Sequence, residues 1–101
     1  MVVGVLRLTL LIPGAQSLKE KRHALHKVLD SVRARFNVSM AEVGEQDSWQ
    51  RAVVGAACIA NDRAFVNEQL DKVVSAVERT AVVDIINREM EIQNYKDLYG
   101  E

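Results

Sequence analysis

The sequence predicts an α+β domain in which four strands and two helices follow one another in the order β-α-β-β-α-β. Two segments carry apolar residues at helical spacing, and four others are short runs rich in branched or alternating apolar residues. Turn and cap residues, Pro13-Gly14 and Asn61-Asp62, separate them. This order is that of the split βαβ, or ferredoxin-like, fold. We therefore expect a four-stranded antiparallel sheet of order 4-1-3-2 with both helices on one face.

Each element has its own signal. The first strand ends at Pro13-Gly14, and Ser17 with Glu20 has the spacing of a capping box at the start of the first helix. Strands one and three are apolar at nearly every position, as expected of central strands, whereas strands two and four carry charges typical of sheet edges. The predicted elements are strand Val2–Ile12, helix Ser17–Phe36, strand Val38–Glu45, strand Arg51–Ala60, helix Asp62–Arg79 and strand Thr80–Ile92.

Length and composition indicate one domain, residues 1–92, followed by a polar tail, residues 93–101. With 101 residues, of which 49% are hydrophobic, the chain can bury one core. The single cysteine, Cys58, excludes an intramolecular disulfide and fits a reducing compartment. The apolar run that ends at Ile12 is too short to span a bilayer. We therefore expect a cytoplasmic protein that does not act at a membrane.

The two central strands predict a second apolar surface. If both helices cover one face of the sheet, alternate residues such as Val3 and Val5 point to the other face. Strand three adds either Val53 and Ile59 or Val54 and Cys58, depending on its register. Because monomers rarely leave a large apolar patch in water, we expect a homodimer through this face, or else a tail that folds back over it.

Several sequence blocks resemble the YlxP-like family of small bacterial proteins, a domain of unknown function. The blocks that carry the resemblance are Ser17-Leu18-Lys19-Glu20-Lys21-Arg22, Arg35-Phe36-Asn37, Ala41-Glu42-Val43 and Trp49-Gln50-Arg51-Ala52. The resemblance covers nearly the whole chain. It implies a ferredoxin-like fold and a cytoplasmic bacterial protein without an established activity. Such proteins are often encoded near genes for translation initiation and ribosome maturation, which raises the expectation of RNA or ribosome contact.

Positive charge is concentrated on the first helix. Between Lys19 and Arg35 there are six cations and two acids, although the whole chain has a net charge of −1. One interpretation is a surface that contacts the phosphates of RNA. The other is a solvated helix face whose long side chains cover the edge of the core. The candidate anion or RNA contacts are Ser17, Lys19, Lys21, Arg22, Lys27 and Arg33.

The remaining candidates are less specific. His23 and His26 could share a metal with Asp30, but the cations around them disfavour one, so we expect no metal and no cofactor. Trp49 is either an interface anchor or a ring that caps the sheet core. No nucleophile, base and orienting partner can be assembled, so we expect no catalytic residues. Two function classes remain. One is an RNA-binding module, and the other is a structural or regulatory homodimer, with or without a small ligand at its interface. The candidate interface residues are Val3, Val5, Trp49 and Val53.

Overall fold

The computed structural model describes residues 1–95. Its elements are β1 (Val2–Leu11), α1 (Leu18–Arg35), β2 (Ser39–Gly44), β3 (Arg51–Ala60), α2 (Arg63–Arg79) and β4 (Asp84–Asn94). The four strands form one antiparallel sheet of order β2-β3-β1-β4. This is the order 4-1-3-2 counted from the other edge, so the ferredoxin-like fold is confirmed.

The last strand differs most from its predicted bounds. It begins at Asp84, because Ala81 takes a left-handed conformation with φ 58° and ends the turn that follows α2. It continues to Asn94, so the first two residues assigned to the polar tail belong to the sheet. Tyr95 follows the strand, and residues 96–101 of the tail lie outside the described residues.

The core lies between the helices and one face of the sheet. Even-numbered residues of β1 face the helices, and Leu8 and Leu10 are fully buried there. The buried stripes of the two helices complete the core with Leu25, Val28, Leu29 and Val32 from α1 and Val66, Leu70, Val73, Val74 and Val77 from α2. Neither helix of residues 1–95 combines the length and apolar character needed to cross a membrane.

The other face of the sheet is not covered by either helix. The register pairs Val5 with Ala57 and Thr9 with Val53, so β3 contributes Val53 and Ile59 to this face, while Val54 and Cys58 point to the core. We call this surface the open sheet face. Its residues include Val3, Val5, Arg7, Thr9 and Leu11 of β1, Ser39, Ala41 and Val43 of β2, Val53, Gly55, Ala57 and Ile59 of β3, and Glu89 and Glu91 of β4.

Candidate functional site

The turn before α1 forms the predicted capping box. The Oγ of Ser17 accepts a hydrogen bond from the Glu20 amide at 3.1 Å, as the N-cap of α1. The Glu20 carboxylate in turn accepts from the Gln16 amide at 2.6 Å. The chain's own carboxylate therefore binds the Gln16 amide, and the adjacent cavity has Glu20 and Asp84 in its lining. The structure places Ser17 as the cap of α1, and its contact with an anion stays a prediction.

The position of Lys21 contradicts the prediction that its side chain contacts RNA. Its side chain is buried, with 1% of the residue exposed. The Nζ atom donates to the carbonyl oxygen of Glu45 at 2.6 Å and lies 3.2 Å from Oε2 of Glu42. The position lies four residues before Leu25 on the buried stripe of α1, a spacing visible in the sequence. Lys21 therefore has no access to a phosphate in solution.

The other cations of α1 lie on the surface. Lys19, Arg22 and Lys27 are exposed, and none of them forms an ion pair with any residue of the described chain. Arg33 is also exposed, but its Nη2 donates to the carbonyl oxygen of Met40. Arg35 stacks over Phe36, with its guanidinium carbon 5.7 Å from the ring centroid. Of the five exposed cations of α1, three have no ion-pair partner among residues 1–95, and two contact another residue.

The contact of Arg33 shows which side of the sheet the exposed cations of α1 lie beside. Met40 belongs to β2, the edge strand on the α1 side of the sheet, so the flank of α1 that carries Arg33 lies beside that edge. At 100° per residue, Lys19 and Arg22 project to the same flank as Arg33. His26 also projects there and is exposed. We call these four residues the basic surface of α1, together with Lys27, which is exposed about 120° farther around the helix.

The candidate metal and thiol residues do not form a site in the described structure. Within residues 1–95, no three His, Cys, Asp or Glu side chains lie close enough together to hold a metal ion. Cys58 is 4% exposed and packs in the core, where burial raises the pKa of its thiol. A thiol of raised pKa carries little thiolate at neutral pH, so Cys58 behaves as a small core residue.

The open sheet face contains a shallow groove of about 680 Å³. Its floor is made of small residues, Ala41, Gly55 and Ala57, and Val5 and Val43 rise on either side of it. Val5 is 45% exposed and Val43 is 59% exposed, whereas Val3 and Val53 are half-buried. On the β4 side, Arg7 forms an ion pair with Glu89 at 3.0 Å. The predicted interface residues Val3, Val5 and Val53 therefore share one surface.

Trp49 lies in the connection between β2 and β3, and 53% of the residue is exposed. Its neighbours hold this connection in place. The Ser48 hydroxyl accepts from the Arg51 amide at 3.1 Å, and the Gln50 side chain donates to the carbonyl oxygen of Ala15 at 3.1 Å. About half of Trp49 is therefore open to contact with a partner, and the interface anchor and the ring against the end of the sheet both stay predictions.

Comparisons with known proteins give a family but no activity. The family model described as "Protein of unknown function (DUF503)" matches residues 3–90. The "Uncharacterized protein YlxP" of Bacillus subtilis (strain 168) is 36% identical over 77 residues, which cover 76% of this chain and 84% of that protein. Both findings agree with the resemblance read from the sequence blocks.

Two solved structures share the fold at low sequence identity. The de novo designed protein Foldit4 is 10% identical with a TM-score of 0.52, over 93% of this chain and 98% of that one. A putative chlorite dismutase is 14% identical with a TM-score of 0.53, over 99% of this chain but only 47% of that one. At these identities the likeness concerns the fold alone.

Proposed function

We propose that this chain, which belongs to the DUF503 family of proteins of unknown function, is a non-enzymatic cytoplasmic module that binds RNA, on its own or in the ribosome. The observation that carries the proposal is the basic surface of α1. Lys19, Arg22 and Lys27 are exposed there without an ion-pair partner among residues 1–95. Surface cations that a fold does not neutralise itself are available to phosphates.

The placement of these cations supports a contact with a polyanion. A cation in the first turn of a helix opposes the macrodipole, so Lys19 gains nothing favourable from that field, and Arg22, one turn later, is still at the positive end of α1. From Lys19 to Arg33 the helix rises about 20 Å at about 1.5 Å per residue, so the flank spans several phosphates of a nucleic-acid strand. The acids exposed on α1 are Glu20 and Asp30, and Glu20 is already bound to the Gln16 amide.

The expected mode of binding is contact with the phosphate backbone. RNA-binding sheets that read bases do so with aromatic side chains on the central strands, and β1 and β3 contain no aromatic residue. Contacts from Lys and Arg to phosphate are strong functions of salt and carry little sequence information. We therefore expect weak, sequence-tolerant and salt-dependent binding.

The test is fluorescence anisotropy of labelled single-stranded and hairpin RNA, titrated with protein at two salt concentrations. Reversing Lys19 and Arg22 together to Glu should weaken binding and reduce the slope of log K against log salt by about one for each lost phosphate contact. The matched control reverses Lys72 and Arg79 of α2, which makes the same change in net charge on the other helix. Co-sedimentation with isolated ribosomal subunits extends the same comparison to folded RNA.

Two results would contradict the proposal. One is the absence of RNA binding at low salt. The other is equal loss of affinity in the α1 and α2 double variants, which would mean that net charge alone, rather than the surface of α1, determines binding.

A further inference from the structure

We propose that a second copy of this chain covers the open sheet face, so that two copies form a two-fold dimer with their sheets face to face. The surface is separate from the basic surface of α1, because α1 packs on the opposite side of the sheet. The inference therefore does not depend on RNA binding.

The first argument is the apolar character of the face. Val5, Val43 and Ile59, from three neighbouring strands, are between 45% and 59% exposed, and Val3, Val53 and Leu11 lie half-buried among them. No helix of residues 1–95 lies over them. Single exposed apolar residues are ordinary on a protein surface, but a continuous patch across three strands is typical of an interaction site.

The second argument is shape. The register places Gly55 beside Ala41 on β2, and Ala57 beside Val5 on β1, so small residues alternate with larger ones across the face. Packed sheets lie about 10 Å apart with the side chains of their inner faces interdigitated. A second copy, turned by a two-fold axis, presents the same ridges and the same groove, so the ridge of each copy can enter the groove of the other.

The third argument is the distribution of charge. The charged residues that line the groove are Arg7, Glu89 and Glu91, and they lie on its β1 and β4 side. Arg7 and Glu89 already form an ion pair, and both side chains remain more than half exposed. The β2 and β3 side of the groove carries no charge. Arg7 lies on a central strand opposite Gly55, so the face has an apolar β2 and β3 side and a β1 and β4 side whose arginine is already paired within the chain. Protein–protein interfaces combine apolar and polar area in this way when their charges are paired.

The size of the face also matches a second copy. At about 3.3 Å per residue and about 4.8 Å between strands, four strands of six to eleven residues give a footprint of roughly 600 Å² before side-chain relief is added. A stable interface buries about 800 Å² on each partner, which is of the same order. Sites for small molecules bury most of the ligand surface. Because this groove is shallow, a small molecule in it would remain largely in water. A second copy supplies the missing wall.

The test measures association by sedimentation equilibrium and light scattering across the micromolar range. The full wild-type chain should be a dimer. Val5→Asp and Val43→Asp each place a charge among the apolar residues of the face and should weaken dimerisation on the order of 100-fold or more, because each buried charge lacks a partner. Phe65→Asp is the matched control. Phe65 is 49% exposed on α2, in the other layer, and its replacement should leave the dimer intact.

Each outcome bears on the proposal directly. Circular dichroism first confirms that the variants are folded, and two substitutions on different strands keep the test informative if one of them does not fold. Dimers disrupted by both sheet substitutions but not by Phe65→Asp support the proposal. A wild-type chain that is monomeric throughout, or a dimer unaffected by both sheet substitutions, overturns it. Either overturning result would leave the RNA experiment unaffected, because it probes the other layer.

Discussion

The ammonium group of Lys21 lies 3.2 Å from the carboxylate of Glu42, and this buried pair ties the first turn of α1 to β2. The Lys21 side chain is 2% exposed and that of Glu42 is 24% exposed. The same ammonium group binds the carbonyl oxygen of Glu45, a residue held at φ 60° where β2 ends. One side chain therefore connects the start of a helix, an edge strand and a strained turn.

Removal of one partner of this pair should lower the free energy of unfolding more than removal of both. We expect Lys21→Met to lower the free energy of unfolding by about 3 kcal/mol, because the Glu42 carboxylate then stays partly buried without a cation. The Oε2 atom of Glu42 is buried, and within the described structure it contacts Lys21 through the ion pair without a hydrogen bond. The double variant Lys21→Met/Glu42→Leu should be more stable than the sum of the two single changes implies. Urea denaturation of the four proteins measures the coupling.

The same variant separates structure from RNA binding. Because Lys21 is inaccessible, folded Lys21→Met should bind RNA as the wild type does, whereas Arg22→Met, a neighbouring exposed position, should bind more weakly. Equal losses of affinity in the two folded variants would contradict the burial of Lys21.

The sequence predicted the strands and helices because each has a strong local signal. Periodicity, the capping box and the polarity of the edge strands together led to the order of the sheet. The burial of Lys21 was not predicted. A lysine is normally exposed, whereas the spacing of this position from Leu25 and Val28 indicates the core. The partner that makes burial tolerable, Glu42, lies on another element. The register of β3, which decides whether Val53 or Val54 faces the open side, depends on pairing with β1 and could not be read from either strand alone.

Ser17 should behave as a cap with no direct part in RNA binding. Ser17→Ala removes the acceptor for the Glu20 amide and should cost about 0.5–2 kcal/mol, measured by thermal or urea unfolding. Ser17→Asn keeps a capping oxygen without adding charge, so its stability should remain near that of the wild type. Both variants, when folded, should bind RNA with unchanged affinity. If Ser17→Asn unfolds normally but loses affinity, the turn before α1 belongs to the binding surface after all.

Cys58 should make the stability of the protein fall at alkaline pH. Burial raises the pKa of its thiol in the folded state above the value in the unfolded chain, about 8.5. Below that pH both states hold the proton and the thiol has no effect. Above it the unfolded state loses the proton first, so stability declines as the pH rises toward the pKa of the folded state.

The control is Cys58→Ala, which lacks the thiol but keeps every other group that titrates in this range. The difference in unfolding free energy between wild type and variant should change between neutral and alkaline pH, with the wild type losing more. A disulfide reagent such as dithionitrobenzoate should also react slowly with the folded chain and rapidly once urea unfolds it. A fast reaction in the folded state, or a difference that does not depend on pH, would contradict a buried thiol.

Two glycines on the central strands should respond oppositely to the same substitution. A Cβ on Gly4 would lie 2.4 Å from Cγ1 of Val66 and 2.8 Å from Cδ1 of Leu70, so β1 approaches α2 too closely there for any side chain. Gly4→Ala should cost about 1–3 kcal/mol through overpacking, as measured by urea unfolding.

Gly55 faces the other side of the sheet and provides the control. A Cβ there would lie 3.4 Å from Cγ1 of Val43, a contact that a small shift of an exposed side chain relieves. Alanine also lowers the conformational entropy of the unfolded chain, which favours the folded state by about 0.5–1 kcal/mol relative to glycine. Gly55→Ala should therefore be neutral or slightly stabilising. Because it fills the floor of the groove, it should weaken the proposed dimer while leaving the protomer folded. Equal destabilisation by the two changes would contradict the assignment of one glycine to the helix-covered face and the other to the open sheet face.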